Sequence, residues 1–141
     1  MQIVLASGSP RRKQLLNMLG LEFTVCPARG EEILPPQAGP EETVMALSRQ
    51  KAAEVAERFP ADALIIAADT IVWHDGKRLG KPKNAADAAE MLSGLSGANH
   101  RVYTGVTLQL GDRVLTQAEE TTVSFRDLTP AEIQAYIATG E

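Results

Sequence analysis

The sequence predicts an α/β fold, and three observations support that prediction. Segments of strand type and of helix type alternate along the whole chain, which is typical of α/β domains. The run at residues 63–68 is short and continuously apolar, as expected for a central strand that is covered on both faces. The 141 residues, of which 44% are hydrophobic and 23% are charged, are enough for one globular domain with a substantial core.

The chain begins with a strand, a turn and a helix. Residues 3–6 form an apolar run, and Ser9 suits the N-cap of a helix that has Pro10 at its first position and closes at Gly20. A strand, a small-residue turn and a helix N-terminus in this order suit a phosphate site, because the first backbone N–H groups of a helix have no partner.

The first turn of this helix carries an unfavourable group of cations, Arg11, Arg12 and Lys13. A helix N-terminus already holds about half a positive charge, so each added cation destabilises it by roughly a few tenths of a kcal/mol. A bound anion would offset this repulsion, and we therefore expect Ser7, Ser9 and the two arginines to bind phosphate. A solvated basic turn is the alternative.

A long loop joins this helix to the second one. Residues 27–40 contain too many glycines and prolines for regular structure, and they carry the acidic pair Glu31 and Glu32. Loops of this length in a compact domain are often functional. The second helix is expected to run over residues 41–59, because Pro60 cannot continue it.

The second helix carries an apolar stripe that contains one lysine. Val44, Leu47, Val55 and Phe59 share a face at helical spacing, and Lys51 lies in the middle of that face. The stem of Lys51 therefore starts on the buried side of the helix. A functional lysine and a lysine that extends to solvent remain open alternatives.

A carboxylate interrupts the central apolar run. Asp69 and Thr70 follow residues 63–68, and apolar character resumes at 71–73. A buried carboxylate needs a salt bridge, a metal ion or a bound proton, and a structural carboxylate that accepts from backbone amides is the alternative. Ligands of open α/β sheets bind beyond the carboxyl ends of strands, so we expect Asp69 and the turn at Ser7 to fall at such ends and to share a cleft.

Turn and capping signals delimit four further elements, namely a hairpin around 75–76, a helix at 84–93, a hairpin around 111–112 and a helix that starts at the capping box 129–132. Lys81 follows the first hairpin, between a glycine and a proline that restrict the backbone. We expect Lys81 to lie near the strand that carries Asp69, and an exposed loop lysine is the alternative.

The composition excludes several classes of protein. The formal net charge of −4 argues against a nucleic acid polymer as partner, and no segment approaches the ~20 apolar residues that span a membrane. Cys26 is the only cysteine, so a reducing cytoplasm is the simplest location. Walker, Rossmann, nucleophile-elbow and zinc-ligand motifs are missing from the sequence.

The remaining candidates fall into two chemical groups. Phosphate binding is expected from Ser7, Ser9, Arg11, Arg12, Lys51 and Lys81. Hard oxygen ligands for a divalent cation are expected from Glu31 or Glu32 and from Asp69. Magnesium prefers such oxygens and often bridges protein carboxylates to substrate phosphates, so the combination indicates hydrolysis of a phosphoanhydride.

Four sequence blocks occur in a characteristic order along essentially the whole chain. They are ASGSPRR at 6–12, AADT at 67–70, GKP at 80–82 and SGANHRVYTGV at 96–106. Together they resemble the Maf family of nucleoside triphosphate pyrophosphatases. The resemblance implies a fold similar to the inosine triphosphate pyrophosphatases, with a mixed central sheet flanked by helices and a cleft between two lobes. It also implies hydrolysis of a nucleoside triphosphate to the monophosphate and pyrophosphate, with a divalent cation such as Mg²⁺ or Mn²⁺.

The resemblance also implies roles for single residues. Asp69 corresponds to the proton acceptor of the family and Glu32 to an acid linked to the metal, which Asp69 would also bind. Ser7, Lys51 and Lys81 correspond to phosphate contacts.

The substrate branch follows from the AADT and SPRR blocks. They resemble the branch that acts on dTTP and UTP, whereas the branch that acts on 7-methyl-GTP usually carries Gln after the Asp. Thr70 and Arg12 are then the positions linked to base selection. Modified pyrimidine nucleotides are a further option.

Family members continue with a DKAGAYGIQG-type block that residues 1–141 do not contain. We therefore expect a single Maf-like domain over 1–141 that lacks the C-terminal segment of the family. The expected reaction is in-line attack of water on the α-phosphorus with pyrophosphate as leaving group. A catalytically inactive nucleotide-binding fragment, or an interaction fragment linked to division, is the alternative. The resemblance also allows a homodimer.

Overall fold

A computed structural model describes residues 1–30, 32–74, 77–79, 84–124 and 126–138 of the chain. Its elements, in chain order, are β1 (Ile3–Leu5), α1 (Pro10–Met18), β2 (Thr24–Val25), α2 (Pro40–Ala56), β3 (Leu64–His74), β4 (Lys77–Leu79), α3 (Ala85–Leu95), β5 (Asn99–Leu110), β6 (Arg113–Ser124) and α4 (Pro130–Ala138). Of the described helices, none combines the length and the apolar character that crossing a bilayer requires.

The strands form one mixed sheet, which confirms the predicted fold class. Its order is β2-β1-β3-β5-β6, and β4 pairs with β3. The pairs β1–β2 and β1–β3 are parallel, whereas β3 and β4 are antiparallel. The sequence did not predict β2, because a strand of two residues carries no alternation that could reveal it.

The N-terminal helix forms as predicted and ends slightly earlier. The Ser9 side chain caps α1 by accepting from the backbone N–H of Arg12 at 3.4 Å, and Pro10 stands at the first helical position. The helix ends at Met18, and Gly20 has φ +74°. A left-handed residue after the last turn is a common helix stop that glycine adopts without steric cost.

Helix α2 supplies one side of the core, as the apolar stripe predicted. Val44, Leu47 and Val55 are fully buried. The core cluster joins α2 to β1 and β3 through Val4, Ala6, Ala52, Val55, Ala63, Ile65 and Ala67. The helix spans Pro40–Ala56 and not residues 41–59, since the last predicted turn before Pro60 is not helical.

Helix α2 also lies close against β5. A Cβ added to Gly105 would stand 2.4 Å from the carbonyl oxygen of Val44, so only glycine fits between the two backbones. Next to this contact, a hydrogen bond of 2.7 Å joins Ser48 Oγ to Thr107 Oγ1, and one of 3.0 Å joins Thr107 to Thr116 Oγ1 on β6. Ser48 and Thr107 are fully buried.

The expectation that a strand ends at Asp69 is wrong. Strand β3 continues through Asp69 to His74, where it pairs with β4 in the predicted hairpin. The neighbouring strand β1 ends earlier along the sheet. Its last residue, Leu5, pairs with Ile66, which precedes Asp69 on β3. Asp69 therefore lies beyond the end of β1 and not beyond the end of its own strand.

The chain divides into two compact units. The first comprises Met1–Thr70 and Thr104–Glu119, and the second comprises Ile71–Tyr103 and Glu120–Glu141. In the second unit, Thr129 and Glu132 form the predicted capping box of α4 with bonds of 3.1 and 3.2 Å.

Candidate active site

Arg12 of α1 reaches back to the strands at the end of β1. Its Nη1 donates to Ser7 Oγ at 3.2 Å and to the carbonyl oxygen of Ala68 at 3.0 Å, and its Nη2 donates to Thr70 Oγ1 at 3.2 Å. Ser7 is nearly buried, and its Oγ also accepts from the backbone N–H of Ser9 at 3.1 Å. The turn and the first turn of the helix are thereby joined to β3.

The end of β1 explains why Arg12 takes this position. The last backbone bond of β1 to β3 runs from Ala6 N to the carbonyl oxygen of Ile66 at 2.8 Å. The carbonyl oxygen of Ala68, two residues further along β3, accepts from the guanidinium of Arg12 and not from a backbone N–H of β1. This buried acceptor is therefore satisfied. Burial lowers the pKa of Arg12, and the charge of Asp69 opposes that shift.

Lys51 lies between two carboxylates. Its Nζ is 2.7 Å from Asp69 Oδ1 and 3.5 Å from Glu32 Oε1. The exposed side-chain fractions rise from 8% for Asp69 through 23% for Lys51 to 43% for Glu32. The Lys51–Asp69 pair is therefore shielded from water and electrostatically strong, whereas the contact with Glu32 is more screened.

The two carboxylate oxygens of Asp69 differ in their hydrogen bonding. Asp69 Oδ2 is buried and has no hydrogen-bond partner among the described residues. A buried carboxylate oxygen without a donor is unfavourable, so it has a lone pair available for a proton or for a cation. The two oxygens of one side chain thus have different environments.

Thr70 faces the other side of β3. Consecutive side chains of a strand point to opposite faces of the sheet, so the side chains of Asp69 and Thr70 lie on opposite faces. A hydrogen bond of 3.1 Å joins Thr70 Oγ1 to Thr104 Oγ1 on β5. Thr104 lies in the SGANHRVYTGV block, where no local sequence signal marks it as a site residue.

The predicted site residues are only partly brought together. Ser7, Ser9, Arg12 and Thr70 form one hydrogen-bonded group. Glu32, Lys51 and Asp69 form a second, ionic group. Arg11 lies exposed on α1, and no hydrogen bond or ion pair joins its side chain to another described residue. Lys81 and Glu31 lie outside the described residues.

The ionic group fits a divalent cation that is completed by substrate. No group of three or more His, Cys, Asp or Glu side chains suited to a metal occurs in the described part of the chain. Mg²⁺ is often bound through one or two carboxylates, water and substrate phosphates. Asp69 Oδ2, which has no described donor, and the half-exposed carboxylate of Glu32 are a donor set of that kind.

Solved structures with a similar fold include a pyrophosphatase and Ham1 proteins. A nucleoside-triphosphatase / dITP/XTP pyrophosphatase from Mycobacterium abscessus matches with a TM-score of 0.52 at 16% identity, covering 99% of this chain and 95% of that one. A HAM1 protein from Coxiella burnetii matches with a TM-score of 0.60 at 15% identity, covering 88% and 72%. At such identities the likeness defines the fold class alone.

The chain belongs to the Maf family, because the family model described as Maf-like protein matches residues 2–141. A dTTP/UTP pyrophosphatase of Agathobacter rectalis is 48% identical over 99% of this chain and 76% of its own length. A dTTP/UTP pyrophosphatase of Bacillus cytotoxicus is also 48% identical, over 99% of this chain and 73% of its own length.

Proposed function

We propose that this protein is a nucleoside triphosphate pyrophosphatase that hydrolyses dTTP and UTP to the monophosphate and pyrophosphate. The relatives named for that activity share nearly half of its residues. The structural observation that supports it most directly is Lys51, held 2.7 Å from the buried carboxylate of Asp69 and 3.5 Å from Glu32. Modified pyrimidine nucleotides are a further substrate option.

In the proposed reaction, a water molecule attacks the α-phosphorus in line with the bond to the bridging oxygen. A new P–O bond forms, the bond to that oxygen breaks, and pyrophosphate leaves with the electron pair. Asp69 Oδ2 accepts the proton of the water, which is a role for a carboxylate oxygen without another donor. Lys51 fixes the carboxylate through Oδ1.

The cations of the site then stabilise the negative charge that develops on the phosphate oxygens. We assign this role to Arg12, Lys51 and Lys81, and further phosphate contacts to Ser7, Ser9 and Arg11. Preorganised charges are effective because they need no reorientation during the reaction. Arg12 meets that condition, since its guanidinium already donates to three fixed acceptors.

We propose that Glu32 and Asp69 hold a divalent cation, Mg²⁺ or Mn²⁺. When bound, such a cation polarises phosphate oxygens and neutralises their charge. For base selection we propose Arg12 and Thr70. A hydrogen bond of 3.2 Å joins these two residues. Thr70 is also hydrogen-bonded to Thr104 and is exposed to solvent.

A pyrophosphate-release assay tests this function. Purified protein is incubated with dTTP, UTP or GTP, each with Mg²⁺ and with a chelator. We expect turnover of dTTP and UTP, little turnover of GTP, and loss of activity with the chelator. Saturable nucleotide binding without pyrophosphate release would contradict the proposal and favour an inactive nucleotide-binding protein.

We also propose that the protein acts in the cytoplasm as one Maf-like domain, which agrees with its single free cysteine, Cys26. The homodimer that the family resemblance allows remains a prediction. Sedimentation velocity over a range of protein concentrations would test it.

A further inference from the structure

One helix holds the loop that carries Glu32 through bonds to the loop backbone. The Gln50 side chain of α2 makes two such bonds with Ile33. Its Oε1 accepts from the backbone N–H at 2.9 Å, and its Nε2 donates to the carbonyl oxygen at 2.6 Å. This pair of bonds fixes the orientation of the peptide groups on both sides of Ile33, which directly follows Glu32.

A second side chain of α2 holds the loop on the other side of Glu32. Glu54 accepts from the backbone N–H of Arg29 at 2.7 Å and from that of Gly30. Arg58 pairs with Glu54 at 3.3 Å and donates to the carbonyl oxygen of Pro27 at 3.5 Å. The backbone bonds from Arg29 and Gly30 lower the pKa of Glu54, so this acceptor is charged at neutral pH.

We call these residues the α2 clamp and define it as Gln50 and Glu54 of α2 together with Arg58, which follows the end of the helix. Side chains four residues apart share a helix face. Glu54 holds Arg29 and Gly30, Gln50 holds Ile33, and Glu32 lies between these held residues in the sequence. Lys51, the partner of Glu32, is the neighbour of Gln50 on the same helix.

The clamp does more than pack the loop against the helix. Loop and helix enclose a cavity of about 200 Å³, lined by Ala28, Gly30, Glu32, Leu47, Gln50, Lys51 and Glu54. A loop held only by apolar contact would close such a space, because close packing is favourable. Glu32 and Lys51 are both among the residues that line this cavity, next to the bonds made by Gln50 and Glu54.

The side chain of Glu32 forms an ion pair with Lys51 that is partly exposed to solvent. Its ion pair with Lys51 is long at 3.5 Å and 43% of its side chain is exposed, and such a pair alone restrains a loop weakly. The described residues of the loop, 26–30 and 32–39, have no helix or strand between β2 and α2. The backbone bonds that precede and follow Glu32 are therefore an additional restraint on its position.

We propose that Gln50 and Glu54 are positioning residues that hold Glu32 in place to bind a divalent cation together with Asp69. This inference rests on the proposed function, because that function assigns the cation to Glu32 and Asp69. It adds that the affinity for the cation is set from α2, by two residues that do not touch the cation.

Direct Mn²⁺ titration, followed by electron paramagnetic resonance, tests this role without catalysis. Gln50→Ala should weaken Mn²⁺ binding about tenfold, the order found when residues that orient a metal ligand are removed. Arg49→Ala is the matched control, because Arg49 is the exposed neighbour of Gln50 on α2, and it should leave the affinity unchanged. Melting curves show whether each variant is folded.

A double-mutant cycle then separates positioning from general destabilisation. If Gln50 acts through Glu32, then Gln50→Ala should have no further effect on Mn²⁺ affinity in a Glu32→Gln background. A tenfold loss that persists in that background would overturn the inference, as would equal affinities of Gln50→Ala and wild type or a wild type that does not bind Mn²⁺. If Gln50→Ala does not fold, Glu54→Gln replaces it, with the exposed Glu57→Gln as control.

Pyrophosphate release by the same variants distinguishes the two proposals. With dTTP as substrate, Gln50→Ala should raise the Mn²⁺ concentration for half-maximal activity about tenfold and leave kcat at saturating Mn²⁺ near the wild-type value. A wild type whose Mn²⁺ affinity depends on Glu32 and on Gln50 but that releases no pyrophosphate would overturn the proposed function and retain the clamp. If the wild type is active and Gln50→Ala needs the same Mn²⁺ concentration for half-maximal activity, only the inference about the clamp would be overturned.

Discussion

The two carboxylate oxygens of Asp69 have separate tasks. Oδ1 accepts from Lys51 at 2.7 Å, whereas Oδ2 has no hydrogen-bond donor among the described residues. Because Asp69 is almost completely buried, bulk solvent has little access to the second oxygen. One oxygen fixes the side chain, and the other remains available for chemistry.

Replacing this carboxylate by its amide tests that division. Asp69→Asn keeps the shape of the side chain and removes the proton acceptor, so kcat for dTTP should fall by about 10²–10⁴-fold. Nucleotide binding should change little. Steady-state pyrophosphate release gives kcat, and equilibrium binding of a non-hydrolysable analogue gives the affinity. A variant with a wild-type kcat would exclude Asp69 as the base.

The hydroxyl of Thr70 links Arg12 to Thr104, with bonds of 3.2 and 3.1 Å. Thr70→Val keeps the branched shape and removes both bonds, each typically worth about 1 kcal/mol. We expect kcat/KM for dTTP to fall about tenfold relative to that for GTP. Thr70→Ser retains the hydroxyl and should keep the wild-type preference. Equal losses for dTTP and GTP would mean that Thr70 does not select the base.

At the scale of elements, the contact between β5 and α2 requires glycine at position 105. At Gly105, a Cβ would stand 2.4 Å from the Val44 carbonyl oxygen and 2.9 Å from the Met45 nitrogen. Both obstacles are backbone atoms of α2, so neither can move without displacing the helix that carries Lys51. The approach of β5 to α2 therefore depends on the missing side chain.

We expect Gly105→Ala to lower the free energy of unfolding by about 1–3 kcal/mol, as overpacking typically does. Gly94→Ala in α3 is the control, because nothing lies within 4 Å of a Cβ at that position, and a gain of up to about 1 kcal/mol is expected there from helix propensity. Urea denaturation measures both. Equal stabilities of Gly105→Ala and wild type would refute the close contact.

The N-terminus of α4 gives a pH-dependent contribution to stability. Hydrogen bonds from Arg126 and from the backbone N–H of Thr129 lower the pKa of Glu132 from 4.5 to about 2. A carboxyl whose pKa is lower in the folded state stabilises that state above its unfolded pKa. This stabilisation is lost as the pH falls from 4.5 towards 2.

The stability difference between wild type and Glu132→Gln should therefore be smaller at about pH 3 than at about pH 6. Urea denaturation at both pH values measures that difference. Glu90→Gln, on the exposed side of α3, shows the effect of removing a carboxylate without this cap. A difference for Glu132→Gln that is independent of pH would show that the cap does not form.

Helix starts were predicted better than helix ends, for a physical reason. Ser9 and the pair Thr129 and Glu132 cap helices through short local bonds, which a sequence reveals directly. The end of α2 depends on packing, and the last turn before Pro60 is lost. Strand β3 continues through Asp69 because it still pairs with β5 and β4 beyond the end of β1. The local sequence does not show which strands pair with it.

At the scale of the whole molecule, all described site residues belong to the first compact unit, Met1–Thr70 with Thr104–Glu119. The alternation of elements predicted the α/β class, but not the strand order. The apolar stripe placed Lys51 on the buried side of α2, yet its contact with Asp69 joins two elements that are distant in sequence. The α2 clamp was missed, because its bonds go to backbone atoms that carry no sequence signal.

Substrate should stabilise the whole protein through binding to the folded state. At a concentration of 100 times the dissociation constant, a ligand contributes about 2.7 kcal/mol. For a chain of 141 residues this raises the Tm by about 10 °C. We expect this shift with α,β-imido-UTP and Mg²⁺ in a calorimetric scan, and a clearly smaller one with α,β-imido-GTP. Equal shifts for both analogues would contradict pyrimidine selectivity.

The row of hydroxyls formed by Ser48, Thr107 and Thr116 constrains how the β5–β6 hairpin can align. If β5 slipped by one residue, every side chain of the strand would turn to the opposite face. Thr107 would leave its two partners, at a penalty of about 1–3 kcal/mol for each buried polar group left without a bond. These three small side chains thus reject misaligned pairings that purely apolar neighbours would tolerate.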